Sequence, residues 1–296
     1  MQSKIIAKSY NPYLDTTICT FELDYWRAIH SELLTHRMFN KNSQSSRAVP
    51  ITAVIKLVAE NPAGPEFWGA NQAGMQALQE VQDIPAAKEA WKRAANRAVE
   101  SALELNSLGL HKQIVNRVLE PFCNIKVVLT ATDFNNFWWL RKHKDAQPEF
   151  RYLAEEMYDL YNSTPSENLF YGDWHVPYVN TDNNRFDERR VYLDEKGNVI
   201  SANEALKISA SCCAQASYRK NDASLEKAES IFSRLIESEP VHASPTEHQA
   251  TPMDAGCTLN ATKGVTHEDK NGVLYSGPLR NWIQHRQLIP NNAKRY

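Results

Sequence analysis

The chain has 296 residues, 42% hydrophobic and 23% charged, with a formal net charge of −2. That length buries a sizeable core as one large domain or two small ones, and the near-neutral balance excludes the global basic field of a non-specific nucleic-acid binder. No run approaches the ~20 apolar residues that a membrane span needs, and the opening MQSKIIAKSY lacks the apolar stretch of a signal peptide. Five cysteines (Cys19, Cys123, Cys212, Cys213, Cys257) in no CxxC or zinc-like spacing point to reduced thiols, a cytoplasmic setting and no metal site.

Residues 4–24 have strand character around a turn at Asn11-Pro12. Residues 25–36 and 50–60 fit helices, followed by the turn-rich Asn61-Pro62-Ala63-Gly64-Pro65. The stretch 73–107 reads as helix-rich, clearest at 86–105, with Pro85 at the start and Gly109 past the end. A helix at 110–119 stops at Pro121, and 125–131 has a buried-strand pattern. Thr132 or Asp133 caps a helix carrying Phe137, Trp138 and Arg141, and another helix runs over about 147–161. Residues 163–203 turn to Asn, Asp, Pro and aromatics, a hairpin excursion around 190–193 and 198–200. A globular pattern resumes near Leu206, with Cys212-Cys213 as buried strand thiols, a helix at 224–238 and a strand-like tail at 272–276.

The densest chemistry lies in residues 35–47. His36-Arg37 is followed after seven residues by Ser45, with Arg47 two further on, and the stretch holds three serines and two asparagines but no glycine. This is a cluster of anion-binding donors at the exit of an apolar helix, suited to a phosphate or nucleotide. The bland alternative is a pair of cations at a helix C-terminus, favourable by a few tenths to ~1 kcal/mol.

The pattern resembles the R-H-R-x7-S signature of flavin-dependent thymidylate synthases, with Thr35 standing where the first arginine is expected. Residues 116–121 resemble the family's R-x-x-L-P turn, and 136–147 resemble N-F-L-x-L-R-x-D-x-x-A-Q. Residues 208–218 and 242–248 resemble the A-R-V-S and H-E-T-P-F-E-H elements, which precede the signature in ordinary members and here follow it. That order implies a circularly permuted or rearranged version of the fold, as in phage-type relatives. Trp282-Ile283-Gln284-His285-Arg286 echoes the approach to the signature a second time.

The resemblance implies an α/β (α+β) fold like that of thymidylate synthase-complementing proteins, with helices packed on a mixed or antiparallel sheet in permuted order. Residues 1–162 would form the catalytic part, 163–205 an insertion, and 206–296 a C-terminal part completing the same fold. Arg141 would be the catalytic arginine at the pyrimidine, where a charged planar fork stabilises the enolate. Ser45, Arg47, Arg117 and Gln44 would bind the substrate dUMP. His36, Arg37, Asn42, Asn136, Ser244 and His242 would contact the cofactor FAD. The implied reaction is reductive methylation of dUMP to dTMP, with methylenetetrahydrofolate giving the carbon and NADPH the reducing equivalents, in a homotetramer with shared active sites and without nucleic-acid or membrane partners. The family's N-x-R flavin contacts align with Thr130-Ala131-Thr132, so together with Thr35 two arginines expected near flavin are missing. Hydroxymethylation of dUMP or dCMP on the same scaffold, and a non-catalytic nucleotide binder, are the alternatives.

Several residues also carry plainer readings. Arg141 can pair with Asp145 at the surface for ~0.3–0.5 kcal/mol, Trp138 and Trp139 fit a core, and Asn71-Gln72 fit a tight turn.

Overall fold

A computed structural model describes residues 1–183, 190–217, 221–254, 256 and 263–293. Cys257 and the last residue of the 208–218 segment, Tyr218, lie outside them. The chain opens with a long hairpin, β1 (Gln2–Asn11) and β2 (Thr16–Trp26). A short helix α1 (His30–Leu34) leads into β3 (Asn40–Ser43), then α2 (Ile51–Glu60) and the long α3 (Ile84–Ser107). The short α4 (Lys112–Val115) runs into a 3-10 segment at Asn116–Phe122 and then β4 (Asn124–Ala131), α5 (Asn135–Arg141) and α6 (Pro148–Ser163).

The second half begins with β5 (Glu167–Asn168), followed by the small sheet of β6 (Asn180–Asn183), β7 (Arg190–Leu193) and β8 (Val199–Ile200). Helices α7 (Ala202–Ala214) and α8 (Leu225–Ile236) precede a 3-10 turn at Ser244–Glu247 and β9 (Ala250–Pro252). Strands β10 (His267–Glu268), β11 (Leu274–Ser276), β12 (Leu279–Arg280) and β13 (Trp282–Gln284) and helix α9 (His285–Leu288) close the described chain. Among the described residues no helix is long and apolar enough to cross a membrane.

The main sheet has the order β3-β4-β2-β1-β5, antiparallel except where β5 joins β1 in parallel. Its two faces follow the two-residue strand period. Phe21, Leu23 and Tyr25 of β2 and Ile125, Val127 and Leu129 of β4 point to one side, where Phe137, Phe150, Leu153 and Met157 of α5 and α6 cover them. Each such side chain contributes roughly 1.5–3 kcal/mol of burial free energy. The opposite face is polar: Trp26 stands beside Asn124, Asp24 beside Lys126 and Thr20 beside Thr130. One end of that face is roofed by α2, α3 and the Asn116–Phe122 turn, whose shared core includes Val58, Ala95, Ala102 and Leu119. Elsewhere α7 covers it, with Cys213 against Val128.

Five expectations change. Residues 25–36 are not one helix, because Tyr25 and Trp26 stay in register with β4 and leave only α1 after them. Helix α3 starts at Ile84, where the Asp83 side chain accepts from Ala86 N at 2.9 Å. Residues 69–80 before it form a hairpin-like arm closed by a Gly69–Glu80 bridge. The 110–119 helix is four residues of α4 tightening into a 3-10 turn that contains Pro121. Cys212 and Cys213 lie on α7 rather than a strand, and Trp139 is 75% exposed rather than core. The expected hairpin of 190–193 and 198–200 is present as β7 and β8, and the 163–203 stretch also joins the body, since β5 extends the main sheet and His175 bridges Ala250.

Candidate functional site

The 35–47 stretch and the 242–248 segment are about two hundred residues apart in sequence and meet in space. Asn42, Ser45 and Arg47 line one side of a cleft of about 730 Å³, and His242 and Ser244 line the other, with Lys41 and Cys213 also bordering it. The local reasons are visible in the chain. Strand β3 pairs with the edge of β4, Asn40 to Thr130 and Ser43 to Val127. Ser45 accepts from Arg47 N at 3.3 Å, turning the chain out of the sheet. The buried Asn116 side chain fixes that turn by donating to Ser46 O (2.7 Å) and Val49 O (3.0 Å). The Arg47 side chain is exposed and has no carboxylate partner among the described residues.

Lys41 brings a second cation to the cleft that the motif reading missed, because it occupies one of the seven unspecified positions. Its ammonium donates to His36 O at 2.6 Å. Burial lowers its pKa below the ordinary lysine value, and the Glu247 carboxylate opposes that shift. Glu247 is paired with Arg286, so the second His-Arg dipeptide is anchored beside the first motif. Burial raises the Glu247 carboxyl above its ordinary value despite Arg286 and Lys41. His285 is turned inward against Trp174 and Phe232.

Arg141 and His36 form a separate clasp. Arg141 Nε donates to His36 Nε2 (3.0 Å), Nη1 to Glu32 Oε2 (2.8 Å) and Nη2 to Thr35 Oγ1 (3.4 Å), and the guanidinium lies 4.6 Å from the Phe150 ring centroid. Its carboxylate partner is therefore Glu32, not Asp145. His36 is enclosed by Phe39, Phe137 and Phe150. Burial first, then Arg141 and Lys41, pull its pKa down to about 4, so the ring is neutral and accepts from the guanidinium. Arg141 does not border the cleft of Ser45 and Arg47. It lines another, with Lys144, Gln147 and Arg151.

The remaining assigned residues are scattered. Arg117 is exposed and paired with Glu120 at 3.0 Å. The Gln44 side chain accepts from Lys126 N at 3.3 Å and faces away from the cleft, along β4. Arg37 and Asn136 are exposed and do not border the cleft. Of the six residues the resemblance gives to flavin, Asn42, His242 and Ser244 border this cleft and His36, Arg37 and Asn136 do not. Thr130 is wholly buried in a hydrogen-bonded ladder, and Thr132 Oγ1 accepts from Arg280 N at 2.9 Å.

That ladder crosses the sheet and was invisible in the motifs. Ser9 Oγ lies 2.9 Å from His175 Nδ1, and His175 Nε2 lies 2.9 Å from Thr20 Oγ1. Thr20 Oγ1 is 2.6 Å from Thr130 Oγ1, which is 2.9 Å from His248 Nδ1. Burial pulls both histidines down to about 3, with Arg190 and His248 adding to the shift at His175.

No curated protein matches the chain by sequence. Among solved structures, the UMP/dUMP methylase PolB from Streptomyces cacaoi bound with 5-Br UMP is similar over 54% of this chain and 88% of that one, at 16% identity and a TM-score of 0.45. The same methylase bound with 5-Br dUMP is similar over 49% of this chain and 66% of that one, just under two thirds of its length, at 19% identity and a TM-score of 0.42. Thymidylate Synthase X (ThyX) from Helicobacter pylori with FAD and dUMP is similar over 49% and 67%, at 14% identity and a TM-score of 0.36. The sequence profile of the family described as "Thymidylate synthase complementing protein" matches residues 3–165, more than half of the chain. On that match, and with the signature residues on the edge strand and turn that border the cleft, the chain belongs to the thymidylate synthase complementing protein family.

Proposed function

We propose that the chain binds dUMP in the cleft between β3 and the 242–245 segment and transfers a one-carbon unit from methylenetetrahydrofolate to C5 of its base. The observation that carries this reading is the meeting of Asn42, Ser45 and Arg47 with His242 and Ser244 across a single cleft. Arg47 offers a planar fork that binds phosphate bidentately, Ser45 adds a hydroxyl, and Lys41 supplies a partly desolvated cation. Donors fixed in place before the nucleotide arrives need no reorganisation as charge develops on the ring. Arg141 is a positioning residue in this reading: it holds His36 and the turn whose carbonyl orients Lys41.

Two products are possible from the methylene adduct. Reductive methylation gives dTMP and tetrahydrofolate and consumes a hydride, which FAD would relay from NADPH. Hydration gives the 5-hydroxymethyl nucleotide and tetrahydrofolate and consumes only water. Thr35 and Thr132, which stand where two flavin-binding arginines are expected, favour the second. The test is the mass of the product formed from dUMP and from dCMP with methylenetetrahydrofolate, with and without FAD and NADPH, in oxygen-labelled water. A labelled hydroxymethyl product without reductant establishes hydration, and a methyl product that requires FAD establishes reduction. Nucleotide binding without either product leaves a non-catalytic binder, and absence of nucleotide binding removes the whole reading. Light scattering of the purified protein checks the homotetramer.

A further inference from the structure

The buried ladder has no task so far in the binding of dUMP, yet one of its members is tied to both walls of the cleft. Thr130 lies opposite Asn40 in the register of β4 with β3, the strand that leads into Asn42 and Ser45. Its hydroxyl lies 2.9 Å from His248 Nδ1, and His248 closes the 3-10 turn that begins at Ser244. Ser244 and Pro245 belong to the opposite wall. Thr130 and His248 are both wholly buried, so the bond between them is closed to bulk water. The position that the resemblance gives to the asparagine of a flavin contact thus holds a hydroxyl committed to the ladder.

The protons of the ladder follow from its geometry. Burial keeps both histidines neutral, so each ring has one N–H and one bare nitrogen. Both nitrogens of His175 are engaged, Nδ1 by Ser9 Oγ and Nε2 by Thr20 Oγ1, so one donates and the other accepts. Thr20 Oγ1 and Thr130 Oγ1 stand 2.6 Å apart and need one proton between them. If both histidines donated inward, the second threonine proton would have no acceptor in the ladder and stay buried and unpaired, which is costly. The ladder therefore runs one way from end to end and gives both histidines the same tautomer. Its ends set the direction. His248 Nε2 is buried with no hydrogen-bond partner among the described residues, and an orphaned N–H is tolerated less well there than a bare nitrogen. The Ser9 hydroxyl, at the other end, rotates to suit its surroundings. His248 Nδ1–H thus donates to Thr130, Thr130 to Thr20, Thr20 to His175 Nε2, and His175 Nδ1–H to Ser9.

We propose that Thr130 is a positioning residue for the nucleotide: through His248 it fixes the 242–245 wall against β3, as the central link of a one-way hydrogen-bond chain that gives His175 and His248 the Nδ1–H tautomer. The positioning role rests on the nucleotide reading of the cleft, whereas the tautomers do not. Links in such a chain polarise one another, so a change at Ser9 on β1 is felt at His248, beyond β2 and β4.

The test joins nitrogen NMR of the histidine rings at neutral pH to calorimetric titration of the full chain with dUMP. In the wild type both buried rings are expected as Nδ1–H. Ser9→Ala removes the last acceptor and is expected to reverse the ladder, turning His248 into the Nε2–H tautomer across three strands. Thr130→Val removes the central hydroxyl and is expected to weaken dUMP at least about tenfold, on the scale of a lost hydrogen bond, and Thr130→Ser to restore it. A threonine that serves folding alone would lower the thermal midpoint and leave the affinity of the folded protein where it was. Unlike tautomers in the wild type overturn the one-way chain, and so does an unmoved His248 in Ser9→Ala, a readout that holds even where Thr130→Val does not fold. Wild-type affinity in Thr130→Val overturns the positioning role. Absence of dUMP binding to the wild type removes the nucleotide reading and the positioning role with it, while the tautomers still decide the chain.

Discussion

At the scale of single residues, the site divides into groups that face the cleft and groups that hold others in place. Arg47 belongs to the first, so Arg47→Ala is expected to weaken dUMP by about ten- to a hundredfold, the range of a charged hydrogen bond, in calorimetric titration. An unchanged affinity would remove the phosphate from this end of the cleft. Arg141 belongs to the second. Arg141→Ala leaves His36 Nε2 without its donor inside a phenylalanine cage, and the loss is expected to be roughly 1–2 kcal/mol after allowing for the partly exposed Glu32 pair. The His36 pKa, now about 4, rises when the neighbouring cation is removed, which ring proton shifts report by NMR. A variant with unaltered His36 titration would refute the clasp. The sequence identified both arginines, because each sits in a run of recognisable order, but it could not tell facing from holding. That difference depends on Glu32 and Phe150, which no motif connects to Arg141.

Among the elements, α7 shows why some of the chain was misread. Its stretch Ile208-Ser209-Ala210-Ser211-Cys212-Cys213 lacks the long apolar residues of an amphipathic helix and mimics a strand. The helix starts because Ser201 accepts from Glu204 N at 3.2 Å while Glu204 accepts from Ser201 N at 2.7 Å, a closed capping box. Small side chains then let it lie close on the polar sheet face, with Ser209, Ser211 and Cys213 buried. Ser201→Ala should cost about 1 kcal/mol, read as a lower midpoint in thermal denaturation. No change would mean that packing alone sets the helix start. Strands β2 and β4 and helices α2, α3, α6 and α8 were legible to within a few residues, because periodicity and flanking Pro, Gly or Ser marked them. The arm at 69–80 was not, since its structure rests on a backbone bridge rather than on pattern.

For the whole molecule, the ladder from Ser9 to His248 ties pH to stability. His175 and His248 are fully buried with pKa values of about 3, against 6.5 for the free side chain. Below pH 6.5 the unfolded chain takes up protons that the folded one refuses, so stability is complete above that pH and falls as pH drops toward 3. Each histidine contributes a slope of about 1.4 kcal/mol per pH unit once the unfolded form is protonated. Urea midpoints should therefore fall steeply between pH 6 and pH 4, and His248→Gln should flatten the curve by one histidine's share. An equal slope in the variant would show that His248 titrates normally. Only the resemblance of the 242–248 segment to a family element hinted at this union of early and late chain, and the Thr20–Thr130 contact within it has no signature in composition or spacing.

The ladder also dictates when the molecule can be finished. Thr20 and Thr130 leave the ribosome well before their partners, and 118 residues separate Thr130 from His248. At ~5–20 residues per second, the nascent sheet waits roughly 6–24 s for His248, with His175 reaching Thr20 part-way through. The half of the chain that carries the family signature is therefore an apprentice structure during synthesis, and its second cleft wall arrives only with the last fifth of the polypeptide.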